Sequence, residues 1–131
     1  MALSSWIDHA QVHNLITRAT KRVFVLRYYS KFMEGKDLIK LYTSLVRSVI
    51  EYSSVTYHFL LTKTKESALE NVQKWCLRCI FGYKKSYVSY RELLAESGLP
   101  TLKERRKVAV LKFAQKTAAN LFMTINLLVI R

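Results

Sequence analysis

The chain has 131 residues, of which 22 are Lys or Arg and 9 are Asp or Glu, so its formal net charge is +13. Half of the residues are hydrophobic, which argues against a disordered chain, and the length predicts one domain. Three glycines and one proline are too few for the many turns of a β-sandwich. We therefore predict an all-α fold, a small bundle of about four to five helices with one short non-helical basic loop.

The first two predicted helices follow apolar residues that recur every three or four positions. The first covers residues 5–32, with Ser5 and Asp8 as a weak capping pair at its start and Gly35 as its stop. The second covers residues 36–61 and carries an apolar stripe that is too wide for a surface helix. This stripe predicts that the second helix is the central, most buried one.

The third helix is expected after a segment of poor helix formers. Residues 53–59 are mostly β-branched or aromatic, so local propensity there is unfavourable for helix. The third helix then begins at a Thr62 or Thr64 cap and ends at Gly82. Residues 83–88 lack a helical period and predict the basic loop.

Two capping boxes predict the remaining helices. Ser89 with Glu92 opens a short helix that ends near Gly98, and Thr101 with Glu104 opens a longer one. In each box the hydroxyl accepts a hydrogen bond from a free backbone N–H while the glutamate reaches back to the cap. These two starts therefore satisfy otherwise unpaired donors from local sequence alone.

Enzyme chemistry has little support in the sequence. Two-metal phosphoryl transfer needs carboxylates that hold two cations close together, but no two of the nine acids are adjacent. The pairs Glu66–Glu70 and Glu92–Glu96 fall on predicted surface helices and are interpreted as solvated charges. Glycine-rich phosphate loops and a Gly-x-Ser-x-Gly nucleophile elbow are absent from the sequence. We predict no catalytic residue, and no enzymatic activity.

A zinc site is the remaining metal hypothesis. Cys76 and Cys79 form a Cys-x-x-Cys, and His9 and His13 form a His-x3-His, which together supply a tetrahedral ligand set. Both pairs fall inside predicted helices, however, and structural zinc usually uses knuckle turns. Cys76 also lies in an apolar stripe, where a free cysteine packs as a small hydrophobe. We therefore favour buried thiols and expect no cofactor, with a Cys/His zinc module as the weaker alternative.

The excess of basic residues is the strongest functional signal, because it favours a polyanionic partner. Such side chains neutralise phosphates without reading sequence, and tyrosines beside lysines can stack on unpaired bases. For any single lysine a solvated helix face is the more ordinary interpretation, but an excess of thirteen charges is difficult to explain by solubility alone. The predicted contacts to RNA or DNA are Lys21, Arg22, Lys74, Arg78, Lys84, Lys85, Lys103, Arg105, Arg106, Lys107, Lys112 and Lys116.

Other compartments and partners have less support. No stretch reaches the roughly 18 apolar residues that a membrane span needs. Two cysteines do not make a disulfide framework, which favours an intracellular location. We expect neither a membrane nor a small-molecule substrate as partner.

Several segments in order resemble one family. Residues 6–9 (WIDH) and 21–27 (KRVFVLR) resemble the stretch that follows the catalytic core of non-LTR (LINE/jockey-type) retrotransposon reverse transcriptases. Residues 41–52 (LYTSLVRSVIEY), 69–75 (LENVQKW) and 94–106 (LAESGLPTLKERR) resemble successive helices of the same region. Each motif alone is weak, but their order and spacing hold over most of the chain.

The resemblance implies the thumb and post-thumb region, which in that family grips template–primer duplex and RNA. It carries over as candidate contacts Lys21, Arg22, Gln73, Lys74, Arg105 and Arg106, but no catalytic carboxylate and no palm. Residues 1–120 form the expected domain, and residues 121–131 are an apolar tail outside the family pattern. We thus expect a non-catalytic fragment of an RNA-directed DNA polymerase that retains sequence-independent binding in the nucleus. The alternative is an inert truncated element or gene-model fragment.

Overall fold

A computed structural model gives the fold of the chain and describes the backbone of residues 2–52, 54–58, 61–82 and 88–129. The side chains of residues 2–9, 55 and 56 lie outside this description. Every regular element in the described part is helical, which confirms the predicted all-α fold. The elements are α1 (Ala2–Tyr29), α2 (Gly35–Tyr42), a π-helical segment (Thr43–Arg47), α3 (Ser48–Glu51), α4 (Ser54–Tyr57), α5 (Lys63–Phe81), α6 (Tyr90–Ser97) and α7 (Leu102–Val129).

The first helix differs from its prediction at both ends. α1 begins at Ala2, so Ser5 lies inside the helix and does not cap it. At the other end the chain leaves α1 after Tyr29, where the Ser30 hydroxyl donates to the Arg27 carbonyl and tightens the last turn. Gly35 is the first residue of α2, so its prediction as a stop signal is wrong.

The second predicted helix is a rod of residues 35–51 formed by α2, the π-helical segment and α3 without a break. Its side chains Leu38, Tyr42, Val46 and Ile50 are buried, but Leu41 and Leu45 are only half-buried. The central helix is instead α5, which packs against α1, α2, α6 and α7. The wide apolar stripe therefore predicted the wrong central element, because part of it lies at the edge of the core.

The helix is interrupted after the rod, at the segment of low helix propensity. The rod ends before Tyr52, whose backbone is extended at ψ 122°, and only the single turn of α4 follows. Tyr57 of α4 is buried, and its hydroxyl donates to the Ile50 carbonyl at the end of the rod. This contact fixes α4 against the rod.

The predicted caps of α5, α6 and α7 are confirmed. Thr62 Oγ1 accepts from the Lys65 amide at 3.3 Å, and Ser89 Oγ accepts from the Glu92 amide at 3.3 Å. At the start of α7 both halves of the capping box form. Thr101 Oγ1 accepts from the Glu104 amide at 3.1 Å, and the Thr101 amide donates to Glu104 Oε2 at 3.3 Å.

Two glycines end helices as predicted. Gly82 follows α5 with φ of 77°, and Gly98 follows α6 with φ of 72°. Both values are positive, a region that side chains with a Cβ rarely adopt. Each glycine amide also donates to a carbonyl of the last helical turn, from Arg78 and Leu94 respectively.

The last helix divides into a packed and a projecting part. Leu102 and Arg106 are buried where α7 packs against α4 and α5. Every residue from 111 to 129 is exposed, so this part of α7 extends from the bundle over roughly 28 Å. The backbone is helical across residue 120, where we placed the boundary of the apolar tail. No helix in the described ranges combines the length and apolarity needed to cross a bilayer.

Candidate nucleic-acid interface

The lysines predicted on α7 lie on its surface. Lys103, Lys107, Lys112 and Lys116 are all exposed, and they extend over about 20 Å of the helix. After Glu104 the sequence of α7 contains no acidic residue, so Lys112 and Lys116 have no acidic neighbour on the same helix. Lys103 differs from the other three lysines because it is close to an acid of another helix. Its Nζ lies 3.5 Å from Glu66 Oε1 on α5.

Arg105 is held by an ion pair within the fold. Its guanidinium donates twice to the Glu51 carboxylate, from Nε to Oε1 and from Nη2 to Oε2, the second bond being 3.1 Å long. The hydrogen bond to Glu51 raises the pKa of Arg105. Arg47 Nε lies 3.6 Å from the same carboxylate. Arg105 therefore ties α7 to the end of the rod, and this pairing opposes its predicted role as a phosphate contact.

Arg106 is inside the molecule, so its prediction as a nucleic-acid contact is wrong. Only 2% of its surface is exposed, and Nη2 donates to Glu66 Oε1 at 3.2 Å. Its Nε and Nη1 are buried and have no hydrogen-bond partner among the described residues. The helical period explains the difference, because Arg106 follows Leu102 by four residues and so shares its buried face.

The basic residues predicted on α1 and α5 are partly engaged by backbone carbonyls. Arg22 Nη1 donates to the Leu45 carbonyl at 3.0 Å, and Arg78 Nη2 donates to the Val88 carbonyl at 3.1 Å. Lys21 is exposed and Lys74 is half-buried. The predicted loop contacts Lys84 and Lys85, with most of their loop, lie outside the described residues.

Gln73 is the centre of a buried polar network and not a surface contact. It is fully buried, and its Oε1 accepts from the Tyr42 hydroxyl at 2.5 Å. Its Nε2 donates to the Tyr90 hydroxyl at 2.9 Å and to the Pro100 carbonyl at 3.1 Å. The Tyr90 hydroxyl in turn donates to Glu70 Oε2 at 2.6 Å. The network joins the rod, α5, α6 and the loop before α7.

The cysteines pack as predicted for thiols. Cys76 is fully buried in the core, and burial raises its thiol pKa well above the usual range. Burial also raises the pKa of Cys79, which is half-buried. Both shifts disfavour the thiolate that zinc requires. The described side chains contain no group of three or more His, Cys, Asp or Glu residues placed to hold a metal ion, and His9 is not among them.

An aromatic surface that our sequence interpretation missed lies where α1 meets α5. It consists of Phe24, Tyr28 and Phe32 with Trp75 of α5, which are 55%, 59%, 71% and 40% exposed. The Phe24 and Trp75 rings meet edge to face, with centroids 5.6 Å apart and planes at 77°. The sequence indicates this surface only through the four-residue spacing of residues 24, 28 and 32. These rings lie beside the apolar stripe that predicted the helix.

A cavity of about 390 Å³ adjoins the aromatic surface. Trp75 belongs to both, and Arg27, Lys31 and Arg78 bring positive charge to the cavity. The other described residues that line it are Ser30, Cys79 and Gly82, so none of its described lining is acidic. The aromatic and basic groups of α1 and α5 are thus concentrated in one place.

No protein-family model, curated protein or solved structure matches this chain. Its function is therefore inferred from the chemistry of the surfaces described above.

Proposed function

We propose that this chain binds RNA or DNA without sequence preference, as a non-catalytic relative of the thumb and post-thumb region of non-LTR retrotransposon reverse transcriptases. The observation that carries the proposal is the set of exposed lysines on α7, with no acid after Glu104 on the same helix. Lysines in such an arrangement neutralise phosphates and release counterions. The sequence motifs support the origin, and a nuclear location accords with that origin.

The lysines of α7 act on the backbone of the nucleic acid. Lys112 and Lys116 are one helical turn apart, about 6 Å along the helix axis, and neither is paired with an acid of α7. Lysine is a mobile point charge and does not discriminate between base edges, so it adjusts to different phosphate positions. Binding therefore depends on the number of phosphates reached and on salt, not on base sequence. The chain grips a strand and performs no chemistry on it.

The test is a salt titration of duplex binding by fluorescence anisotropy. We expect micromolar affinity for a random-sequence duplex of about 20 base pairs, falling steeply between 50 and 200 mM salt. The triple substitution Lys107→Gln, Lys112→Gln, Lys116→Gln should lower the slope of log K against log salt by about 2, because up to three phosphate contacts are lost.

The matched control removes the same charge elsewhere. Lys36, Lys40 and Lys63 are also exposed, and their triple replacement by Gln should change the slope by less than half as much. Binding that is absent, that does not respond to salt, or that weakens equally in both triple variants would contradict the proposal.

An inert fragment is the second candidate, and the projecting part of α7 favours it. Leu121, Phe122 and Leu128 are 58%, 66% and 70% exposed, and clustered apolar surface of this kind promotes aggregation. An inert fragment should precipitate or melt without a cooperative transition. A cooperative circular-dichroism melt of monomeric chain together with salt-dependent binding would exclude it.

A further inference from the structure

The aromatic surface exposes rings that a helical bundle ordinarily buries. α1 already presents a buried face to the core, including Val23 and Leu26, and Phe24 and Tyr28 project from the face beside it. Burying apolar area is favourable by about 25 cal/mol per Å², so rings more than half exposed leave a substantial favourable contact unused. The exposed rings of Phe24 and Tyr28 therefore offer flat apolar faces on which a flat apolar group of a partner can stack.

The geometry holds Trp75 in a defined place. Its edge-to-face contact with Phe24 restricts the indole, and the same indole lines the cavity. Tyr28 continues the surface along α1, with its ring centroid 5.6 Å from that of Phe32. A ring that is already ordered loses less conformational entropy on binding than a mobile side chain.

The charge beside these rings determines the class of partner. Arg27, Lys31 and Arg78 line the cavity that Trp75 also lines, and the described lining contains no acid. The partner must therefore combine a flat aromatic group with an anionic group a few ångströms away. An unpaired nucleotide has both, whereas bases stacked inside a duplex do not present their faces.

We propose that the aromatic surface and its cavity bind an unpaired stretch of RNA or DNA, with a base stacked on Trp75 and the adjoining phosphates near Arg27, Lys31 and Arg78. The cavity volume of about 390 Å³ is within the range of small-ligand sites, which is roughly 300–1,000 Å³. This inference rests on the proposed function, since it names the form of nucleic acid that one part of the chain selects. The lysines of α7 remain the sites of general phosphate binding.

The experiment uses the full chain with Trp6→Phe, so that Trp75 is its only tryptophan. A 12-nucleotide single-stranded uridine oligomer should quench Trp75 fluorescence, because the base stacks on the indole. An abasic oligomer of equal charge should bind without this quenching. Trp75→Ala should weaken binding of the uridine oligomer about 10-fold, with duplex affinity changed less than 2-fold.

Two further variants separate stacking from folding. Tyr28→Ala lies at an exposed position and should weaken single-strand binding at least 3-fold with an unchanged thermal midpoint. Tyr52→Ala replaces an aromatic residue that is even more exposed but lies outside the aromatic surface, and it should have no effect on binding.

The outcomes distinguish this inference from the proposed function. Duplex binding that persists while the uridine oligomer gives no quenching, or is insensitive to Trp75→Ala, would overturn only the single-strand site. The same conclusion follows if Trp75→Ala abolishes binding to anionic phospholipid vesicles and leaves oligomer binding intact. Absence of all nucleic-acid binding would overturn both proposals.

Discussion

At the scale of single residues, the difference between buried and exposed polar side chains decides what each one does. Gln73 and Arg106 were predicted as nucleic-acid contacts, yet both are buried and make hydrogen bonds within the fold. Lys107 is next to Arg106 in sequence and is fully on the surface. Neighbouring residues of a helix point about 100° apart, so Arg106 faces the core while Lys107 is accessible to a ligand.

The Gln73 network makes a prediction about stability. Gln73→Leu leaves the Tyr42 hydroxyl without its acceptor and the Pro100 carbonyl without its Nε2 donor. The Tyr42 hydroxyl is buried, and an unsatisfied buried group costs about 1–3 kcal/mol, so we expect the free energy of unfolding to fall by about 1–3 kcal/mol. Urea denaturation measures it. Gln115→Leu at an exposed position is the control and should change it by less than about 0.5 kcal/mol.

Buried phenols and thiols make a second residue-scale prediction, on alkaline pH. Burial raises the pKa of Tyr57 to about 12, and it raises the pKa values of Tyr42 and Cys76 well above those of an ordinary phenol and thiol. In the unfolded chain these groups ionise near their ordinary values, while the folded chain keeps them protonated. Stability is therefore full below about pH 9 and declines as pH rises towards 12.

Urea midpoints measured between pH 8 and pH 11 check this dependence. The midpoint should fall continuously above pH 9. A midpoint that is constant across this range would show that these groups are accessible to solvent in the folded chain. Tyr52→Phe, at a 75% exposed position, should leave the pH profile unchanged.

At the scale of helices, most local signals predicted the helix ends correctly, with Ser5 and Gly35 as the exceptions, whereas the long-range prediction of the central helix was wrong. The caps at Thr62, Ser89 and Thr101 and the stops at Gly82 and Gly98 depend on bonds within a few residues, so the sequence contains them. The choice of the central helix depends on which faces meet in three dimensions. Periodicity measures the width of an apolar face but not the number of helices that cover it.

The candidate site was predictable only in part for the same reason. The composition indicated a polyanionic partner, and the helical spacing of the lysines in α7 indicated a basic surface on this helix. The aromatic surface needs Phe24 and Trp75, which are far apart in sequence and meet only because α1 packs against α5. The pairing of Arg105 with Glu51 spans a comparable separation and was likewise not visible in the sequence.

The projecting part of α7 gives an element-scale prediction. A chain that ends after Lys116 loses residues 117–129, all of them exposed, so its free energy of unfolding should change by less than about 0.5 kcal/mol. An isolated helix of this length is marginal in water, so amides in residues 117–129 should also exchange their hydrogens rapidly. Urea denaturation and hydrogen exchange measure these two quantities.

The control for this truncation is at the packed start of the same helix. Leu102 is 1% exposed, and Leu102→Ala should lower the free energy of unfolding by about 2–5 kcal/mol. A truncated chain that loses stability to the same extent would mean that the end of α7 contacts the bundle in solution.

For the molecule as a whole, the basic side chains fall into two groups: some join helices of the bundle, and others are exposed to solvent. Arg105 and Arg106 attach the start of α7 to Glu51 and Glu66, whereas the later lysines of this helix face solvent. The count of 22 Lys and Arg residues therefore overstates the number of cations available to a ligand, whereas the net charge of +13 already allows for the nine acids. Basic residues outside these two ion pairs lie on the surface of α7 and around the cavity at the junction of α1 and α5.

Glu66 contacts cations of both kinds, because its carboxylate lies near the exposed Lys103 and the buried Arg106. Lys103 Nζ and Arg106 Nη2 both approach its Oε1, at 3.5 and 3.2 Å. A polyphosphate that draws Lys103 towards itself leaves the carboxylate with Arg106 as its remaining cation in this trio. Lys103 is thus the one cation of this trio that a ligand and the α5–α7 contact would share, whereas the ion pair of the buried Arg106 with Glu66 holds the two helices together independently of a ligand.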